Sequence, residues 1–382
     1  MTDESLVVIG SGPAGVSAAR AYREAGGKGR VRLLSADPNP PYARPPLSKD
    51  FLRGESGEAD IALDGPGDDV ELVLDDPVAE LGEHEVRTES GAVHPFTRCV
   101  LATGAEPVRP PVPGAEHPDV RCLRSLTSSR ELRSAAGSAR SAVVVGAGFI
   151  GCEAAVSLAR LGVQVTVLCP GSVPQEQRLG RDAGELILHW LKAEGVSVLR
   201  ETRLESVTEG HRVHTGLVPA LDTDLVLLAT GIRPRVELAE KAGLAVEHGR
   251  VRTDQHLRTS RPGVYAAGDV AFTHNPSAGR ALAVEHWGEG LAMGEVAGRS
   301  AAGVPASWDV VPGFWSEIGD HVLKYAAWGD GFDHACPVSR DGGFTVWYER
   351  GGEAVGVLTH NADDDYARGG ELIREHHPIP PR

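Results

Sequence analysis

Two stretches of this chain repeat one pattern: an unbroken apolar run, a glycine turn, then a small-residue stretch with helical spacing. Leu6-Val7-Val8-Ile9 runs into Gly10-Ser11-Gly12-Pro13-Ala14-Gly15, and Ala142-Val143-Val144-Val145 runs into Gly146-Ala147-Gly148-Phe149-Ile150-Gly151. Continuous apolar runs suit strands buried on both faces of a parallel sheet. After the first turn the pattern predicts a helix over 16–25, stopped by Gly26-Gly27, and a strand over 31–34. After the second it predicts a strand over 163–168 and an amphipathic helix over 183–194. Two further apolar strands end alike, in Ala102-Thr103-Gly104 and Ala229-Thr230-Gly231. Either ending alone is common. Their recurrence in step with the glycine turns marks an internal repeat of a whole domain plan.

Other segments read differently. Residues 55–95 suggest short strands with turns, such as 70–74. Pro40-Pro41-Tyr42-Ala43-Arg44-Pro45-Pro46-Leu47-Ser48-Lys49 is too proline-rich for a helix or a sheet interior. It reads as a rigid loop, either a stiff connector or a clamp along a cofactor. Pro107, Pro110, Pro111 and Pro113 read as a domain crossing. Val264-Tyr265-Ala266-Ala267 leads into Gly268-Asp269, which is either an ordinary turn or a carboxylate set at a strand end for a ligand's hydroxyls. From Pro312 onward, Phe314, Trp315, Trp328, Phe332, Phe344, Trp347 and Tyr348 cluster in a tail whose alternation at 343–349 predicts strands.

Each turn has the G-x-G-x-x-G spacing in strand–turn–helix context, which presents backbone N–H groups at a helix N-terminus to a pyrophosphate. A side chain at Gly12 or Gly148 would block that approach. Two such turns suggest two dinucleotides in one chain, and such a protein usually passes electrons between them. In these folds an acid near the end of the second strand binds a ribose. In the first half Asp37 is in range, while Ala36 holds the strand-end position. In the second half that position is Cys169, with no carboxylate, and Ser172, Arg178 and Arg181 lie downstream. Glu153, just after the second turn, reads on its own as a helix-start acid favoured by the helix dipole.

The 382 residues favour two or three domains. With 38 basic and 53 acidic residues the formal charge is −15. That argues against nucleic acid or anionic membrane as the main partner, and an acidic protein partner would need a local basic patch. No run approaches the roughly 18 apolar residues that span a bilayer. The start, Met1-Thr2-Asp3-Glu4-Ser5, lacks a basic region followed by an apolar core, so the expectation is no signal peptide and a cytoplasmic protein. Cys99, Cys122, Cys152, Cys169 and Cys336 form neither C-x-x-C nor C-x4-C, so no redox dithiol or zinc spacing exists, and most read as small buried hydrophobes.

On these residues the chain resembles the FAD-dependent pyridine-nucleotide oxidoreductases, and among them the ferredoxin/rubredoxin reductases that serve bacterial oxygenases. Gly10, Gly12, Pro13, Ala14 and Gly15 match the FAD pyrophosphate turn, and Gly268-Asp269 the second FAD motif. Arg44-Pro45-Pro46-Leu47-Ser48-Lys49 is the most specific piece, standing where disulfide reductases hold their dithiol. Ala283-Val284-Glu285-His286-Trp287 and Val311-Pro312-Gly313-Phe314-Trp315-Ser316 match segments near the flavin ring.

The resemblance implies an α/β fold of two Rossmann-like dinucleotide-binding domains, glutathione-reductase-like, plus a C-terminal α+β interface domain. The FAD-binding domain would be 1–112 with 248–310, the NAD(P)H-binding domain 113–247 and the interface domain 311–382. It implies FAD as cofactor, NADH or NADPH as substrate, no metal, a ferredoxin as partner, and a monomer or homodimer. Arg124 matches an FAD-contacting arginine and Val78 a position whose backbone reaches the adenine end. Lys49 and Glu153 would pair at the flavin N5, with Glu153 also orienting the nicotinamide. His286, Trp287 and Trp315 would lie by the flavin or nicotinamide, although core packing is the ordinary role of such tryptophans.

Two departures stand out. The missing acid at Cys169 leaves coenzyme choice open, with Gly151 as third glycine leaning slightly to NADH. Glu295 stands where the family tends to place a basic residue, and Arg53, Arg280 and Arg299 remain as candidate docking cations. Direct reduction of a small molecule, quinone or oxygen is a second reading, though Tyr42 stands where a flavin peroxidase would need a cysteine. A redox-switched interaction protein resembling apoptosis-inducing factor is a third.

Overall fold

The structure, a computed structural model, describes residues 4–381, so Met1–Asp3 of the acidic start read above lie outside the described residues. The chain forms two compact units. One comprises the chain up to Ala43, Ala62–Glu106 and Pro234–Phe314. The other comprises Arg44–Ile61, Pro107–Arg233 and the chain from Trp315.

In the first unit a five-stranded parallel sheet has the order Val264–Ala266, Arg98–Leu101, Ser5–Ile9, Arg30–Leu34, Val70–Val73. Its central strand, from Leu6 to Ile9, is buried as the apolar run requires. A three-stranded meander (Val78–Leu81, Glu85–Thr88, Val93–Pro95) accounts for the small strands expected between 55 and 95. The helix Pro13–Glu24 packs against a long helix, Trp287–Ala301, with backbones nearly touching. Gly290, Gly294 and Gly298 recur every fourth residue and so share one face of that long helix. A methyl group on Gly294 would lie 2.3 Å from the Ala14 carbonyl oxygen, and one on Gly298 2.2 Å from that of Ala18.

The second unit repeats the sheet: Ser197–Leu199, Gln164–Leu168, Ser141–Val145, Leu225–Leu228, Val120–Cys122, all parallel. The strand order about each glycine-turn strand is therefore the same in both units, as the sequence repeat predicts. The aromatic tail forms an antiparallel sheet in the order Gly313–Ile318, His321–Ala327, Glu353–His360, Gly343–Arg350, His334–Arg340, followed by the helix Asp363–Arg374. Its aromatic face packs on the helix Glu176–Ala193. Trp190 stacks on His321 at 4.3 Å, and the buried Tyr348 hydroxyl donates to the Leu179 carbonyl at 2.8 Å.

Three expectations are corrected. The proline segment is not a rigid loop throughout: Pro45–Ser48 is a 3-10 turn and leads into a short helix, Asp50–Arg53. Proline suits the first turn of a helix, where its missing N–H costs nothing. The helix expected over 183–194 starts earlier, at Glu176, and is interrupted at Gly180, whose φ of 80° no helix accommodates. The apolar strands Arg98–Leu101 and Leu225–Leu228 stop before their Ala-Thr-Gly endings, which lie outside regular secondary structure. Among the described residues every cysteine is free, and Cys99, Cys152, Cys169 and Cys336 are buried. No helix among them is long and apolar enough to cross a membrane.

The glycine face yields a contrast within one helix. Gly294→Ala should cost about 1–3 kcal/mol through overpacking, seen as a lowered thermal midpoint by circular dichroism. Gly288→Ala, where a methyl meets nothing within 4 Å, should leave the midpoint unchanged or raise it.

Candidate functional site

Each glycine turn presses on its own Ala-Thr-Gly strand end. Gly10 has φ of 114° and Gly146 φ of 110°. A Cβ on Gly10 would lie 2.1 Å from the Ala102 carbonyl oxygen, and one on Gly146 2.4 Å from that of Ala229. The two halves of the repeat thus meet in space, which is why they recur together. Gly12 and Gly148 then cap the helices Pro13–Glu24 and Phe149–Arg160, with no side chain satisfying the free N–H groups. At Gly12 a Cβ would meet nothing within 4 Å, so the turn opens onto space. Open, uncapped helix N-termini framed by close-packed glycine fit a dinucleotide pyrophosphate at both turns.

Around the first turn, the Gly10 N–H bonds to the Leu34 carbonyl at 2.8 Å, and Ser11 and Ser35 share a hydroxyl hydrogen bond at 2.6 Å. Ala36 follows Ser35, a buried residue that the sequence reading passed over. The Asp37 carboxylate is engaged locally, one oxygen by the backbone N–H and side chain of Asn39 and the other by the Tyr42 hydroxyl at 2.6 Å. Asp37 thereby shapes the chain that leads into the proline segment. Gly268, with φ of 77°, opens a short 3-10 turn that carries Asp269 and lies against Ala14, as a Cβ there would come 3.1 Å from the Ala14 Cβ. Ala102 and Thr103 lie beside Gly10, Gly104 follows with φ of 65°, and Val78 opens the meander. His286 caps the long helix that Trp287 starts, and packs on the Phe314 ring at 4.5 Å.

The second unit brings Lys49 and Glu153 together. Lys49 and Glu153 are 8% and 5% exposed and pair at 2.8 Å. Both Glu153 oxygens are occupied. Oε2 accepts from Lys49 Nζ and from the Ser48 hydroxyl at 2.5 Å; Oε1 accepts from the Ser316 hydroxyl at 2.6 Å and the Glu317 N–H at 3.4 Å. Lys49 also donates to the Pro45 carbonyl at 2.8 Å. The segment is further tied down by Ser157, whose hydroxyl donates to the Ser48 carbonyl, and by Ser129, which donates to that of Leu47. Ser48, Ser157 and Ser316 were invisible as partners in the sequence, because only folding brings them within reach. Arg44 donates to the Arg124 carbonyl at 3.0 Å, uniting those two predicted residues.

Trp315, next to buried Ser316, is 43% exposed and therefore not a core residue. Trp287 is half-buried. In the second glycine turn Phe149 is half-buried and Ile150 exposed, while Gly151 is buried. Gly231 has φ of 102° and accepts the Val108 N–H. Cys169 is buried with its thiol toward the Gly171 carbonyl. Among the candidate docking cations, Arg53 pairs with Asp50 and Glu55, and Arg299 with Glu295 at 3.5 Å, so acids within the chain already offset both.

A buried pair that loses one member leaves an uncompensated charge. Lys49→Met should cost about 3–5 kcal/mol, and the double change Lys49→Met with Glu153→Gln should recover much of it. Thermal unfolding of the single and double variants measures this. Equal midpoints for Lys49→Met and wild type would show that the pair does not stabilise the fold.

Comparison with known proteins agrees with this geometry. The family model for pyridine nucleotide-disulphide oxidoreductases matches residues 4–294. A rubredoxin-NAD(+) reductase of Pseudomonas putida is 32% identical over 331 residues, covering 84% of this chain and 86% of its own. The ferredoxin–NAD(+) reductase component of a biphenyl dioxygenase system in Paraburkholderia xenovorans is 34% identical over 329 residues, covering 84% and 80%. Among solved structures, putidaredoxin reductase in its covalent complex with putidaredoxin superposes with a TM-score of 0.93 at 26% identity, over 100% of this chain and 95% of that one. The expected α/β architecture with two Rossmann-like folds is the one these structures share. With its two glycine turns, each seated on its own strand end, the chain belongs to the pyridine nucleotide-disulphide oxidoreductase family.

Proposed function

We propose that this protein is an FAD-dependent NAD(P)H oxidoreductase of the ferredoxin-reductase type, delivering electrons to a small iron–sulfur protein that serves an oxygenase. The observation that carries this reading is the likeness along the whole chain to a reductase captured in covalent complex with putidaredoxin, in a chain that lacks a dithiol. FAD, when bound, accepts a hydride from the nicotinamide and releases electrons singly.

The chain's own residues bind, orient and hold charge. Residues 1–112 and 248–310 are assigned to FAD, with the N–H groups after Gly12 on its pyrophosphate and Asp269 on its ribityl side. Residues 113–247 are assigned to the pyridine nucleotide, held at Gly146–Gly151. Residues 311–382 are assigned to the interface domain. Lys49, anchored by the Pro45 carbonyl and by Glu153, supplies a fixed positive charge favouring the reduced, negatively charged flavin. Glu153 has both oxygens engaged, which suits it to fixing Lys49 more than to gripping a ligand. The exposed Trp315 is assigned to stacking at the redox site, where it limits water.

Stopped-flow mixing of the FAD-loaded protein with NADH and NADPH, followed by a panel of ferredoxins and rubredoxins, tests the reading. Flavin bleaching and reoxidation by at least one iron–sulfur protein are expected. Bleaching with electron transfer only to quinone or oxygen would overturn the acceptor assignment. Lys49→Ala should slow flavin reduction about tenfold or more while FAD stays bound, and a wild-type rate would remove Lys49 from the mechanism.

A further inference from the structure

The strand Gln164–Leu168 is followed by Cys169, where the fold ordinarily offers a carboxylate to the adenosine ribose. Cys169 cannot take that role. Its side chain is buried and turned to the Gly171 carbonyl at 3.4 Å. Three backbone bonds zip this loop to the next strand end: Cys169 N–H to Leu199, Thr202 N–H to Cys169 and Glu201 N–H to Gly171, each at 2.9 Å. The loop backbone is therefore rigid.

A carboxylate nevertheless reaches the loop from another element. Glu176, in the first turn of the following helix, accepts the Ser172 N–H and the Ser172 hydroxyl, each at 2.8 Å. A Cβ on Gly171 would lie 3.0 Å from Glu176 Oε2, so the carboxylate occupies the space a side chain at 171 would take. The Ser172 hydrogen bonds hold its pKa below the usual carboxylate range, which keeps it charged at neutral pH. Burial pushes the Cys169 thiol up, and the Glu176 charge adds to that rise, as expected of a carboxylate close to the strand end. Two cations of this neighbourhood, Arg181 and Arg200, lean on Glu185, at 4.0 and 3.7 Å. A carboxylate has about four acceptor positions; Ser172 uses two and the Val173 N–H draws on a third.

We propose that Glu176 replaces the missing strand-end acid, accepts the adenosine ribose hydroxyls of the pyridine nucleotide, and selects NADH over NADPH. The proposal rests on the reading that Gly146–Gly151 hold that nucleotide. A free 2′-hydroxyl donates to the carboxylate, whereas a 2′-phosphate brings like charge against it. Gly171 is part of the device, because any side chain there would displace Glu176.

Isothermal titration of the FAD-loaded protein with NAD+ and with NADP+ tests this apart from turnover. Wild type should bind NAD+ about tenfold or more tightly than NADP+. Glu176→Gln, which keeps the volume and an acceptor for Ser172, should narrow that ratio several-fold by weakening NAD+ and sparing NADP+. Glu176→Ala should abolish it, and Ser172→Ala should move it the same way by less. Circular dichroism melts of each variant show whether the fold persists, and Glu176→Gln carries the test if Glu176→Ala unfolds. Tighter NADP+ binding by wild type, or an unchanged ratio in Glu176→Gln, overturns the role of Glu176. Flavin that neither nucleotide bleaches would overturn the reductase reading itself and this assignment with it; bleaching with an unmoved ratio overturns Glu176 alone.

Discussion

A carboxylate buried to 5% exposure has to be paired, and Glu153 dictates much of the second unit for that reason. Its four hydrogen bonds come from two separate stretches of chain, Ser48 and Lys49 from the proline segment and Ser316 and Glu317 from the first strand of the C-terminal sheet, which meet on the helix that follows the second glycine turn. The proline segment cannot wander, since its 3-10 turn is tied again by Ser129 and Ser157. The strand carrying Ser316 also sets where Trp315 emerges into solvent. One charge thus fixes the cation, the aromatic and the coenzyme helix of the proposed redox site relative to one another.

The two glycine turns are alike in backbone and unlike in surroundings. Both press on an Ala-Thr-Gly strand end, a contact only glycine allows. Beyond that shared frame, the first is bordered by Ser35 and by an Asp37 committed to Asn39 and Tyr42, and the second by Cys169, Ser172 and Glu176. The frame offers main-chain groups that suit a pyrophosphate and do not depend on side chains. Discrimination between dinucleotides is left to what surrounds it.

Charge follows a related logic. The chain is strongly acidic, yet its arginines are largely spent on its own acids, as Arg53 is on Asp50 and Glu55, Arg130 on Glu58, and Arg160 on Glu194 and Asp320. A cation that reads as a docking residue in the sequence is often half of an internal pair, and sequence distance hides it: Arg130 and Glu58 are 72 residues apart.

The pairing of Lys49 with Glu153 was legible only through the family resemblance; the sequence by itself determined the repeated α/β plan, the two glycine turns and the absence of a dithiol. Each is carried by local chemistry or a short motif: apolar runs that must be buried, glycines where only glycine fits, cysteines with no partner in reach. Only the tertiary structure decided how Glu153 is saturated, why Gly290, Gly294 and Gly298 recur, and which acid stands at the second turn. Those depend on side chains and backbones brought together from distant points of the chain. Glu176 shows why: seven residues beyond Cys169 it has no motif position, and it reaches the loop only because the following helix starts at Glu176 and Gly171 leaves room for it.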